Sequence, residues 1–435
     1  MTTPRWPVSW PSRATPTRTE SEFTLNGLWI GPSPQPSPPR RRLRAILAAV
    51  VALAVFGGAL AAAVEALRGT ASSRPGAASP AAAPGDVSAV LPELERFVEK
   101  QRGLRFTTPV RADLLDDAAF TDRLRQVNGR DADPARTTAS QVSLTALGLL
   151  PPGTDLQAQT DRLLGAAVAG YYDPKTKALV VRGSRATPGV RATLVHELTH
   201  ALQDQHFNLD RPDLDRALDE SSLAFSGLVE GDAELVRSAY ELTFSPSELS
   251  AADRETSSGA IPDVPPVLLQ MVAFPYSAGP KFVGDLMQAG GRARVDAAFA
   301  APPTSTEQLI DPARYLAGEA PKPVPVPAGD GPKADEGILG ELGLRLALGP
   351  AIDQRTVTVA TDGWGGDRYV AWRDGARSCL RDTVVMDSAR DTDELRQALR
   401  AWSRNAKAAT TAATKAAKVS IDADTAAGIT FTACQ

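Results

Sequence analysis

Residues 192–207 read ATLVHELTHALQDQHF, and at their centre stands His196-Glu197-Leu198-Thr199-His200. At about 100° per residue, positions four apart lie only about 40° apart around a helix and one turn along it. Both imidazoles can therefore face one ion. Glu197 projects about 100° round from His196, beside the ion rather than on it, where its carboxylate can hold and deprotonate a metal-activated water. Leu194, Val195, Leu198, Ala201 and Leu202 supply an apolar surface that would bury the helix, and Pro188 lies near its start. The 435-residue chain holds three histidines, and all fall within eleven residues, at 196, 200 and 206. The pattern predicts a zinc ion (Zn2+) bound by His196 and His200, with Glu197 as the catalytic residue.

A catalytic zinc keeps three protein ligands and one open position, so a third ligand is required. His206 is ten residues after His196, but a last ligand at that spacing needs a Gly to break the helix, and Gln203 occupies the position. If the helix continues, His206 lies about 9 Å along the axis from His200, out of reach of the same ion. Glu230, in SSLAFSGLVEGDAELVRSAY (221–240), sits on a second amphipathic helix. With a turn over Asn208–Leu214 the two helices can lie antiparallel and bring His196, His200 and Glu230 to one point. Glu234, four residues on, shares the face of Glu230 and can accept the second ring N–H of a ligand histidine. Asp232 points to the opposite side and is expected in solvent.

Outward from the motif, composition narrows the function classes. With 43% hydrophobic and 23% charged residues the chain can bury at least one sizeable core. The net charge is −4, and the one basic cluster is Arg40–Arg44, so nothing asks for a nucleic-acid partner. Residues 1–44 carry seven Arg against Glu20 and Glu22, a net of +5, which leaves −9 for residues 45–435. Ala45–Val64 contains no charge over twenty residues, about 30 Å as a helix. A transmembrane helix is expected over residues 45–67, with a Pro-rich disordered cytoplasmic tail (1–44) before it and a flexible Ala/Pro/Ser/Gly linker (68–86) after it. The 44-residue leader favours a retained single-pass anchor in the cell membrane over a cleaved signal peptide. The remaining residues, 87–435, would then form an extracytoplasmic domain.

Within that domain the patterns predict helices near Ser88–Gln101, Ala139–Leu149, Leu156–Val168, Gly337–Leu348 and Asp393–Arg404, and an extended piece over Leu104–Val110. A hairpin is expected over Gly170–Gly183, with Asp173-Pro174-Lys175-Thr176 at its turn. Strands are expected at Arg368–Trp372 and Val384–Met386, with a closing extended pair before Cys434. Helices and strands mix without βαβ alternation, which indicates an α+β domain. The two cysteines, Cys379 and Cys434, are expected to form a disulfide that ties down the C-terminal strand.

VHELTHALQDQH followed by LVEGDAELV resembles the gluzincin division of zinc metallopeptidases, in which a downstream Glu completes HExxH. A closer similarity is to bacterial membrane-anchored or secreted metallopeptidases that carry the HALQDQHF run, then segments here reading FPYSAGPKFVGDLMQAGG (274–291), PPTSTEQLIDPARY (302–315) and GWGGDRYVAW (363–372). The resemblance implies a zincin-like domain with a mixed sheet on the active-site helix, the hairpin Tyr171–Val181 serving as the edge that binds an extended protein or peptide substrate. It also implies His196, His200 and Glu230 as zinc ligands and Glu197 as general base. A downstream Tyr or His often steadies the oxyanion in such enzymes, and Tyr276 is the candidate here. Two other readings stay open: a non-catalytic envelope protein with a structural or vestigial zinc site, and a metzincin-like site that uses His206. A cell-wall amide is an alternative substrate bond.

Overall fold

The protein is described here from a computed structural model that covers residues 87–131, 133–215, 220–257, 262–405, 417–425 and 428–435. The expected tail, membrane helix (45–67) and linker lie outside the described residues. Among the described residues no helix is long and apolar enough to cross a membrane. The fold of the described residues is α+β, and the expected architecture is corrected to one whose described helices include no membrane span.

Helix α1 (Val87–Arg102), strand β1 (Ala112–Leu115) and helices α2 (Asp117–Asp131), α3 (Pro134–Ala146) and α4 (Leu156–Ala167) lead into β2 (Gly170–Asp173) and β3 (Ala178–Arg182). The piece expected to be extended before Val110 is irregular, and the strand begins at Ala112. The three strands form a sheet in the order β1-β3-β2, with β1 parallel and β2 antiparallel to β3. Only one arm of the expected hairpin, β2, is thus a sheet edge, and all four of its residues are buried.

Helix α5 (Pro188–Phe207) follows at once. Thr187 caps it by accepting the Val190 N–H at 3.3 Å, Pro188 presets its first turn, and Asn208 ends it at a φ of 56°. Glu255 of helix α7 (Pro246–Ser257) accepts from the Gly189 N–H and the Thr187 hydroxyl. Every residue from Ala192 to Asp204 is buried, so α5 is a core helix rather than a surface one. Leu194, Val195 and Leu198, each 0% exposed, pack with Leu179 and Val181 of β3 and Leu94 and Val98 of α1. Burial of each such side chain contributes roughly 1.5–3 kcal/mol.

Helix α6 (Ser221–Glu241) packs between α5 and helix α8 (Pro266–Ala300), which bends at Gly290–Gly291 where the backbone leaves helical φ/ψ. The crossing of α6 and α8 is unusually close. A Cβ on Gly231 would fall 2.2 Å from the Gly279 carbonyl carbon, and one on Gly279 would fall 2.2 Å from the Gly227 oxygen. Only glycine permits this approach.

After two short helices, α9 (Thr306–Ile310) and α10 (Pro312–Ala317), the chain builds a five-stranded antiparallel sheet in the order β4-β5-β6-β8-β7. Its strands are β4 (Lys333–Gly337), β5 (Trp364–Asp374), β6 (Arg377–Met386), β7 (Lys418–Thr425) and β8 (Gly428–Cys434). Helices α11 (Gly340–Leu348), α12 (Gln354–Thr361) and α13 (Ala389–Asn405) cover it, and α13 turns Leu395, Leu399 and Trp402 inward. Cys379 and Cys434 are directly opposed in the β6–β8 register, 4.2 Å apart at Cα, and are disulfide-bonded. The bridge ties the last strand to its neighbour, as expected from the sequence.

Candidate metal centre

Helix periodicity places His196 and His200 on the face of α5 that meets α6, and Glu230 projects from the facing turn of α6. His200 Nε2 lies 3.0 Å from His196 Nε2, and Glu230 Oε2 lies 3.1 Å from the first-named histidine of the motif, His196, and 3.4 Å from His200. These three ligand atoms form a compact triangle that could hold a metal ion. Tetrahedral ligands on arms of about 2.0–2.1 Å stand roughly 3.3 Å apart, so the spacing suits zinc. His196, Glu197, His200 and Glu230 are each 0% exposed.

Two features of the site are uncompensated within the protein. The buried Glu197 carboxylate has no side-chain hydrogen-bond partner and meets only the Tyr172 backbone, and His196 Nδ1 makes no hydrogen bond, an arrangement that costs free energy in an apolar core. Charges are also unusual there. Burial pushes the Glu197 carboxyl up to about 7 despite the opposing pull of His196 and His200. Burial works against a charged His200, but the Glu230 carboxylate overcomes it and lifts the imidazole to about 9. Burial likewise opposes ionisation of Glu230, yet His200 and His196 hold its carboxyl below the ordinary value.

Around the triangle the helices supply supports of different kinds. Tyr276 of α8 stacks on His196, ring centroids 6.3 Å apart, and its hydroxyl bonds the Glu230 carboxylate. The Gly231–Gly279 crossing is what lets this ring come so near, because Tyr276 sits one turn before Gly279. Glu234 Oε1 stands 3.5 Å from His196 Nδ1 without a hydrogen bond, its carboxylate being drawn to Arg237 through bonds of 2.8–3.1 Å. His200 Nδ1 instead bonds Gln203 Oε1 at 3.0 Å. His206 lies away from the centre at the exposed end of α5, where its Nε2 bonds the Arg105 carbonyl oxygen at 2.8 Å.

One sequence expectation fails here. Asp232 is buried, not solvated: it accepts from Gln203 Nε2 at 2.7 Å and pairs with Arg102 Nε at 2.8 Å. The wheel position was read correctly, but the opposite face of α6 meets protein rather than water. The run SSLAFSGLV, apolar or small on all sides, carried that signal. Gln203 and Arg102 were missed for the same reason, since their roles appear only when α1, α5 and α6 are assembled.

The other acidic cluster needs no ion. Glu307, Glu319 and Asp387 surround Arg314, whose Nη1 lies 3.4, 2.5 and 2.6 Å from them respectively. In GWGGDRYVAW, Asp367 accepts from the Leu339 and Gly340 N–H groups and from Trp364 Nε1, and so fixes the entry to α11.

Residues 327–432 match the model of a family described as a domain of unknown function (DUF8575). The match covers the five-stranded sheet and its helices and includes none of the residues around the metal centre. No curated protein sequence matches the chain. Among solved structures, the chain is similar to a proposed hydrolase with a novel fold from Chloroflexus aurantiacus, at 16% identity, over 53% of this chain and 88% of that one. With a TM-score of 0.35, that likeness carries no argument about the fold or the reaction of this protein.

Proposed function

We propose that the protein is a zinc-dependent hydrolase of peptide bonds in protein or peptide substrates, with His196, His200 and Glu230 as metal ligands and Glu197 as general base. The observation that carries this reading is the convergence of two imidazole nitrogens and one carboxylate oxygen within 3.4 Å of one another, with the buried Glu197, which has no side-chain partner, beside them. The resemblance of VHELTHALQDQH and LVEGDAELV to gluzincins supports it as well.

When bound, zinc would supply Lewis acidity that polarises a scissile carbonyl and acidifies water. Glu197 takes a proton from the attacking water at its carboxylate and can return it to the leaving amine. Tyr276 can donate from its hydroxyl to an oxygen that becomes negative, since burial keeps the phenol protonated far above neutral pH. Glu234 and Asp232 are each paired with an arginine, so Glu230 and Glu197 are the carboxylates left to balance a dication.

Substrate entry requires movement, because the four central residues are closed from solvent. The turn that carries Tyr276 lacks part of its helical hydrogen bonding. Pro280 has no N–H to give the Tyr276 carbonyl, and Pro275 has none for Met271, so two helical hydrogen bonds are missing beside the site. The test is hydrolysis of an unfolded protein by the full chain loaded with zinc. Glu197→Gln is expected to retain the metal and lose about 10²-fold or more of the activity. Equal activity in parent and variant would refute the assignment.

A further inference from the structure

We infer that Gln203 is a positioning residue that selects the tautomer of His200 and thereby tunes the metal centre. The inference rests on the metal-ligand reading above and goes beyond it. The amide of Gln203 is wholly buried. Its Nε2 lies 3.1 Å from the Val229 carbonyl oxygen and 2.7 Å from Asp232 Oδ2. A backbone carbonyl can only accept, and Arg102 at 2.8 Å holds Asp232 as an accepting carboxylate. Both groups demand the NH2 end of the amide, so Oε1 must be the end that faces His200.

An amide oxygen cannot donate, and the 3.0 Å contact therefore fixes the proton of His200 on Nδ1. The lone pair of the neutral ring is then left on Nε2, the nitrogen that faces His196 and Glu230. The chain of restraint continues outward. Arg102 of α1 also binds Asp296, on the last turns of α8, at 2.7 Å. Three helices that do not themselves carry the metal ligand His200 thus hold its ring through one line of hydrogen bonds and ion pairs.

His196 has no equivalent. Its Nδ1 makes no hydrogen bond, and its ring is placed by stacking on Tyr276. The two histidines of the motif are consequently held unequally: His200 by an oriented amide, His196 by packing. Gln203 occupies the position at which a helix-breaking Gly would be needed for His206 to join the centre, so the residue that keeps the helix intact also orients its second ligand.

The test uses the full chain labelled with 15N-histidine, which gives three imidazoles to observe, His206 being identified by His206→Gln. In the zinc-loaded parent, His200 should show a hydrogen-bonded Nδ1–H and metal coordination through Nε2. Gln203→Met, near in shape but without the acceptor, should bind zinc about 10–100-fold more weakly in competition with a chelator. The double variant Gln203→Glu with Asp232→Asn keeps an acceptor for His200 and the same total charge, and should recover most of that affinity. Coordination of the parent His200 through Nδ1, or a Gln203→Met affinity within threefold of the parent, overturns the inference. If Gln203→Met does not fold, the parent spectrum decides alone. A parent that takes up no zinc instead overturns the metal-centre reading on which the inference rests.

Discussion

The contact of α6 with α8 offers a prediction whose sign runs against helix propensity. Alanine is favoured over glycine inside a helix by about 1 kcal/mol, so Gly231→Ala would stabilise an isolated α6. In the assembled protein the new Cβ would stand 2.2 Å from the Gly279 carbonyl carbon, where ordinary contact begins at 3.4 Å. Both atoms that collide are backbone, and no rotamer relieves them. The helices must separate by about 1 Å, an overpacking that costs roughly 1–3 kcal/mol. The same shift would carry Glu230 away from Tyr276 and from the paired imidazoles, so zinc affinity should fall by about tenfold or more. Gly284→Ala, on the same α8 helix with nothing within 4 Å of its Cβ, is the internal control and should stabilise by about 0.5–1 kcal/mol. Denaturant unfolding of the metal-free chains and chelator competition measure the two effects. A Gly231→Ala protein as stable as Gly284→Ala and with parental zinc affinity would refute the reasoning.

Three further outcomes follow from the same geometry. Tyr276→Phe should lower kcat by about 10²-fold while zinc affinity stays within a few-fold, and unchanged kcat would remove the phenol from the reaction. His200 and Glu197 have folded pKa values raised to about 9 and about 7, so each binds more protons folded than unfolded. Their stabilising contribution in the metal-free protein is present below the unfolded values of 6.5 and 4.5 and is lost as pH climbs through 9 and 7 respectively. Zinc must displace the His200 proton, so the Tm gap between loaded and metal-free protein should widen from pH 6 to pH 9; a constant gap contradicts this. Cys434→Ser opens a bridge across a separation of 55 residues and should cost about 4 kcal/mol, read from denaturant midpoints; a loss under 1 kcal/mol would show that the sheet does not need it.

Much of the candidate centre was legible because helix geometry is local. The i, i+4 histidines and the adjacent Glu197 follow from 3.6 residues per turn, Glu230 was reached through the expected antiparallel second helix and the resemblance, and the structure brings them together. The disulfide was legible because two cysteines leave one pairing. What stayed hidden depends on which elements meet. Asp232 and Gln203 face solvent or protein according to where α1 lies, and no period in the sequence states that. Pro275 and Pro280 sit inside a helical stretch that packs against α6. The hairpin was found, but its second arm became the centre of a sheet when distant β1 paired with it. The uncharged run at 45–64 lies outside the described residues.

The account stands or falls on where a metal goes. Anomalous diffraction at the zinc edge, from crystals of the full chain grown with zinc, should give one strong peak about 2.0–2.2 Å from His196 Nε2, His200 Nε2 and a Glu230 oxygen, with Glu197 outside bonding distance. A peak at His206 or at Glu307, Glu319 and Asp387, or no peak at the paired histidines, would contradict it.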